Sequence, residues 1–335
     1  MVDREKGAQD FLARMDSLAS MHALHQDASN RRYYRLIGAE QPSLLMDCPP
    51  GLESLAQFVK VADFLSDLGL GVPAIYEFDE VTGYAVIEDF GSDTFTSLLN
   101  QSGDLHDSIT DDLYRMAIDT LVCLHIQVKE IPKDYPDYLP DQMAEAACLM
   151  LDWYVPKLSG QTVSSNTRAA YKKAWLAVLS RVSEDTTLVL RDYHVDNLML
   201  RKNQQGVSRC GVIDFQDAAR GPRMYDLASL LEDARRPVSR ALKDSMQQYY
   251  AAQMGIKINA EFIESFVSLA GQRHSRVAGV FVRLAQRDKR EHYLQHLPLV
   301  ISMLANAVDA PILEEPRSIL DTLCPTWRDP TPLLA

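Results

Sequence analysis

LVLRDYHVDNLML, residues 188–200, sets Arg191, Asp192, His194, Asp196 and Asn197 between two apolar runs. The runs on either side have the length and composition of short buried strands, so the polar insert reads as a tight loop at the mouth of a core. Loops of this kind collect catalytic groups, because rigid flanks position an exposed tip. A second strand edge follows 17 residues after Asn197, where VIDFQDA (residues 212–218) carries Asp214. The intervening LMLRKNQQGVSRCGVI reads as a hairpin with a polar tip containing Gly206. Such a hairpin brings Asn197 and Asp214 toward one edge. An amide oxygen and a carboxylate are hard donors of the type Mg2+ takes when it also binds substrate phosphates, and Asp192 is left to accept a proton.

Outward from this loop the chain changes character once. Before residue 90 it holds short strand-like runs, RYYRLI, SLLMD, AIYEF and YAVIEDF, around one amphipathic stretch in which Leu55, Phe58, Val61, Ala62, Leu65 and Leu68 recur at helical spacing and Gly69 supplies a stop. After EDFGSDTF the pattern is helical apart from a strand-rich island at 187–215. Ser108 or Thr110 can cap a first helix, and others are predicted over 141–154, 164–181, 224–235, 238–253, 260–286 and 296–306. The expected fold class is α+β and two-lobed: residues 1–91 form a small strand-rich N-terminal lobe ending in a hinge, and residues 92–335 a larger, mainly helical C-terminal lobe.

Composition narrows the partners. Lys plus Arg number 34 and Asp plus Glu 46, a formal charge of −12, which excludes nucleic acid and anionic membrane as main partners. The five cysteines are scattered and never spaced C-x-x-C, as expected of reduced thiols, and the charged N-terminus has no apolar signal region; both predict a cytoplasmic protein. The absence of H-E-x-x-H argues against a zinc enzyme.

The spacing Asp192-x-x-x-x-Asn197, followed by the strand-borne Asp214, resembles the catalytic loop and metal-binding Asp of the aminoglycoside phosphotransferase family, the small-molecule branch of the protein-kinase-like fold. DASNRRYYRL, LLMDCPP, IEDFGSDTF, DFQDAARGPRMYDLASLL and QRHSRVAGVFVRLAQRDKREHYLQHLP extend the resemblance over residues 27–298, and look like bacterial anomeric kinases of N-acetylmuramic acid and N-acetylglucosamine that serve cell-wall recycling. The resemblance implies a kinase-like fold and phosphoryl transfer from ATP to a small-molecule hydroxyl. By the same carry-over Asp192 is the catalytic group, and Asn197 and Asp214 hold Mg2+. Ser29, Asn30, Arg31, Arg32 and Tyr33, with Glu88, Asp89 and Phe90 at the hinge, contact the nucleotide. His194, Asp217, Arg273 and His274 face the acceptor, an amino sugar. Aminoglycoside, choline and homoserine kinases share the loop and are the alternative readings, as is a pseudokinase that binds without turnover.

One residue departs from the pattern. Kinase-like folds carry a Lys on the third strand, whereas SLLMDCPP has Met46 and Asp47 there. Either a nearby cation, Arg31, Arg32 or Arg35, or the metal carries that charge. Asp226, in MYDLASLL, is read as a helix cap or as a clamp on the catalytic loop.

Overall fold

The structure, a computed structural model, describes residues 4–15, 19–24, 30–102, 108–182 and 185–334. In chain order the first elements are α1 (Arg4–Arg14), β1 (Ser20–Ala23), β2 (Arg32–Ile37), β3 (Ser43–Asp47), α2 (Leu55–Asp67), β4 (Ile75–Asp79), β5 (Tyr84–Glu88) and α3 (Phe95–Ser102). There follow α4 (Ser108–Gln127), α5 (Pro140–Ala147), α6 (Val155–Ser159), α7 (Ser165–Val182), β6 (Thr186–Val189), β7 (Leu198–Leu200), β8 (Cys210–Val212) and β9 (Ala219–Pro222). The chain closes with α8 (Tyr225–Leu231), α9 (Arg240–Met254), α10 (Ala260–Asp288), α11 (Leu297–Val308) and α12 (Glu314–Leu323). It divides into two compact units, one formed by Met1–Gly103 with Val195–Asp217 and the other by Asp104–His194 with Ala218–Ala335. No single described helix is long and apolar enough to cross a membrane.

The first unit is built on a five-stranded antiparallel sheet in the order β1-β2-β3-β5-β4. RYYRLI and SLLMD form β2 and β3 with the bounds that their aromatic and branched residues predict. The charged N-terminal stretch hides a helix. Ala8, Phe11 and Leu12 lie at i, i+3 and i+4, and they pack on Leu36, Leu45, Tyr84 and Val86 of the sheet. In α2 the Ser54 side chain accepts the Gln57 amide N–H, and Leu55, Phe58, Val61, Ala62 and Leu65 form the buried face.

The predicted hairpin is present as β7 and β8, and it belongs to this unit. The Val212 amide donates to the Gly71 carbonyl at 2.7 Å. A Cβ on Gly71 would stand 2.5 Å from the Cys210 carbonyl oxygen, and one on Gly211 2.7 Å from the Phe90 ring, so both glycines are required by close approach. The Leu200 amide donates to the Asp93 carbonyl, which ties the other strand of the hairpin to the segment after β5.

In the second unit the 29-residue α10 is the central element. Residues 268–275 are buried without interruption, so this stretch is enclosed on every side and packs against α5, α7, α8 and α11. The helix expected over 141–154 is broken. α5 gives way to a π-helical turn, Met150–Tyr154, closed by a bond from the Val155 amide to the Met150 carbonyl, and α6 follows. Pro156 lacks the N–H that a regular helix would need there, and the wider turn removes the demand. Opposite this break lies Gly279 of α10, where a Cβ would come within 2.2 Å of the Leu149 carbonyl.

Candidate active site

The loop after β6 is fixed residue by residue within the second unit. Asp226, in the first turn of α8, is fully buried and accepts the amides of Leu190 at 2.6 Å and Arg191 at 2.9 Å. It is therefore the clamp rather than a helix cap. Burial pushes its carboxyl up to about 7, although both amide bonds pull it down. Arg191 takes the left-handed conformation, φ 71°, and its guanidinium lies 4.6 Å from the Tyr138 ring centroid. A non-glycine residue held there costs about 1–3 kcal/mol, a strain typical of functional loops. The Tyr193 hydroxyl donates to the Ala117 carbonyl at 2.8 Å. Asp192 sits between these two anchors.

Arg276 of α10 approaches the Asp192 carboxylate to 3.9 Å. Burial alone would raise the Asp192 carboxyl, but the guanidinium groups of Arg276 and Arg273, with that of Arg191, outweigh it and hold the pKa at about 2. Such a carboxylate is ionised at any ordinary pH. It is a strong hydrogen-bond acceptor and a weak base, suited to orienting a hydroxyl.

The side chains expected at the acceptor have well-defined partners. His194 is 6% exposed, and its Nε2 accepts from Arg235 at 3.2 Å. Burial lowers its pKa, Arg235 and Arg273 lower it further, and Asp233 only partly opposes them, so the imidazole is neutral. Arg273 and His274 are both buried against α8, Arg273 donating to the Ser229 hydroxyl at 2.9 Å and His274 lying 3.3 Å from Glu232. Asp217 is exposed in the turn after Gln216. Arg276, one turn beyond Arg273 on the same face, is the α10 cation that faces Asp192; in the sequence it is one of several arginines in a basic stripe.

Within the first unit the hairpin brings Asn197 and Asp214 to one end. The Ile213 amide donates to the Asn197 carbonyl at 3.0 Å, and Asp196 accepts the Thr96 hydroxyl, which pins the turn before β7. Asp214 is left-handed, φ 60°, and its side chain is half exposed. Its Oδ1 accepts from Arg31 at 3.3 Å and from the Gln216 amide at 3.0 Å. Asn197 and Asp214 would offer an amide oxygen and a carboxylate, hard donors suited to Mg2+, with water and phosphate oxygens supplying its other ligands. Among the described residues no group of three or more His, Cys, Asp or Glu is placed to hold a metal, so any cation here depends on such outside oxygens.

Of the residues expected to contact nucleotide, Ser29 lies outside the described residues. Asn30 donates its amide to Glu53 at 2.7 Å, Arg31 is buried beside Asp214, Arg32 is exposed, and Tyr33 is half-buried. Burial pushes the Tyr33 phenol up to about 12. At the hinge the Glu88 carboxylate pairs with Arg201 at 2.6 Å and Asp89 with Arg35, while Phe90 stacks under the Arg201 guanidinium. The amides of Glu88 and Asp89 already donate to the Ala74 and Pro42 carbonyls, so these two N–H groups are committed within the fold. Glu53 and Gln216 carry no motif of their own and were not legible as site residues.

Residues 20–257 match the phosphotransferase enzyme family, a span that includes the loop after β6, the hairpin and the whole sheet. The chain belongs to that family. It is an enzyme, and its class is phosphotransferase. An N-acetylmuramate/N-acetylglucosamine kinase from Pseudomonas putida is 34% identical over 291 residues, covering 83% of this chain and 80% of the relative. Two solved phosphotransferases share the fold. The ADP-bound aminoglycoside phosphotransferase APH(2'')-Ib superposes with a TM-score of 0.58 at 14% identity, over 90% of this chain and 98% of that one. The GDP complex of wild-type aminoglycoside 2'-phosphotransferase-IIIa gives 0.62 at 12% identity, over 91% and 99%.

Proposed function

We propose that this phosphotransferase moves the γ-phosphoryl group of ATP to the anomeric hydroxyl of an N-acetylated amino sugar, N-acetylmuramate or N-acetylglucosamine. The observation that carries the reading is the 34% identity to a kinase named for these two sugars, which runs through most of both chains. A hemiacetal hydroxyl is more acidic than an ordinary alcohol. It therefore suits a carboxylate held at low basicity, as Asp192 is by Arg276. The sugar oxygen attacks the γ-phosphorus, the bond to the β–γ bridging oxygen breaks, ADP leaves, and the hydroxyl proton passes to the Asp192 carboxylate. Because phosphoryl transfer has a loose transition state in most analyses, orientation of the hydroxyl by Asp192 contributes more than basicity.

Asn197 and Asp214 are the residues that would hold Mg2+, and the ion would offset charge on the phosphates. Asp226 and Tyr193 keep Asp192 in place, and neutral His194 braces the loop through Arg235. We place the reaction in the cytoplasm, in recycling of cell-wall sugars, as for an enzyme like the N-acetylmuramate/N-acetylglucosamine kinase it resembles.

The test is ADP release from purified protein offered free amino sugars, their methyl glycosides, aminoglycosides, choline and homoserine, with ATP and GTP in parallel. Turnover is expected with the free reducing sugars and not with the glycosides. Equal rates on blocked and free sugars, or turnover only on a cationic acceptor, would refute the reading.

A further inference from the structure

Kinase-like phosphotransferases place a third-strand Lys against the nucleotide phosphates and pair it with a glutamate on the helix of the small sheet. β3 has no Lys, and its last residue, Asp47, is paired with Arg4. Among the three neighbouring arginines, Arg35 is held by Asp89 and the Gly91 carbonyl, and Arg32 is exposed. Arg31 is 5% exposed. Register pairs Arg32 with Asp47, so Arg31 stands across from Cys48, just where β3 ends.

The Arg31 guanidinium donates in three directions. Its Nε meets Glu53 Oε2 at 2.5 Å, Nη1 meets Gln216 Oε1 at 2.7 Å, and Nη2 meets Asp214 Oδ1 at 3.3 Å. Glu53 immediately precedes Ser54, the N-cap of α2, and its other oxygen accepts the Asn30 amide. A cation, a glutamate at the helix of the sheet and the carboxylate proposed for the metal are thus joined, with the cation on β2's side of the strand pair. Moving it one strand over displaces its Cα by about 4.8 Å. The forked guanidinium holds its donors in a fixed plane, and from β2's side it binds Glu53, Gln216 and Asp214 together.

We propose that Arg31 replaces the third-strand lysine as the phosphate-side cation, with Glu53 as its glutamate partner. The inference rests on the nucleotide-dependent transfer argued above and is independent of which acceptor is used. Glu53 and Asp214 both repel an incoming polyphosphate, and Arg31 is the charge in contact with both that offsets them.

The test is equilibrium binding of ATP, without metal and then with Mg2+, to the full chain and two variants. Arg31→Met and Glu53→Gln break the same ion pair but change the local charge in opposite directions. Arg31→Met is expected to weaken metal-free ATP binding about tenfold or more, with Mg2+ restoring part of the loss. Glu53→Gln is expected to bind metal-free ATP as tightly as wild type or more tightly. A purely structural pair would weaken both variants alike, and that result, or no change in either, overturns the proposal. If Arg31→Met does not fold because the half-buried Glu53 carboxylate loses its cation, Arg31→Met combined with Glu53→Leu removes that charge. Metal-free binding equal to that of Glu53→Gln would then overturn the proposal, and weaker binding would support it. None of these readouts involves an acceptor, so failure of amino sugars as substrates leaves the test intact.

Discussion

In the proposed mechanism Asp192 and Arg276 together set how the acceptor end works. Arg276→Gln removes the largest of the charges that lower the Asp192 pKa, so the group should titrate higher. The sign follows from the direction. A carboxylate held at about 2 stabilises the folded state above its ordinary 3.8, and that contribution disappears as pH falls toward 2. In the variant the acid limb of kcat/KM should move to higher pH by about one unit or more, measured as ADP release across the acid range; an unmoved limb would separate Arg276 from Asp192. Asp192→Asn keeps the shape and loses the charge. Its kcat should fall by about 10² to 10⁴, with ATP affinity close to wild type in a binding titration. The loop motif singles out Asp192 as the candidate, because its spacing to Asn197 and Asp214 is a property of sequence alone. Arg276 was not legible, since which arginine of a basic helix faces the loop depends on how α10 is rotated, and neighbouring arginines look alike in a string of letters.

Among the elements, α8 acts on the loop through one side chain. Asp226 uses both oxygens to accept consecutive amides, a task an amide side chain cannot copy because its nitrogen would oppose an N–H. Asp226→Asn should therefore cost about 1–3 kcal/mol for the unsatisfied donor, seen as a lower melting temperature together with reduced kcat. The hairpin makes a complementary prediction. Asp214→Ala relieves no buried cation by itself, since Arg31 keeps Glu53 and Gln216, so it should fold while nearly losing turnover at ordinary Mg2+. Full activity would remove Asp214 from the metal role. The strands β2 and β3 and the hairpin were readable because alternation and turn residues are local. α1 was overlooked because its three buried residues are diluted by charge. The π-helical break was overlooked because Pro156 sits where a helix of regular apolar period continues on both sides.

For the whole molecule, the proposed nucleotide role makes a thermodynamic demand. On that proposal ATP with Mg2+ binds the folded chain and not the unfolded one, so ligand at 100 times its Kd should add about 2.7 kcal/mol and raise the melting temperature. An unchanged melt at saturating MgATP would count against nucleotide binding altogether. The division of the chain carries a further consequence, for how the protein is made. The first unit is assembled from Met1–Gly103 and the later insertion Val195–Asp217. A ribosome therefore releases the sheet long before the hairpin that meets Gly71 and Asp93 exists, and at about 5–20 residues per second that wait lasts on the order of 10 s. During it the backbone of Gly71 and the ring of Phe90 lack the strands that cover them. The nascent sheet is thus exposed to chaperones and to other edges until residue 217 emerges, and no fragment ending near residue 103 can reproduce the native unit.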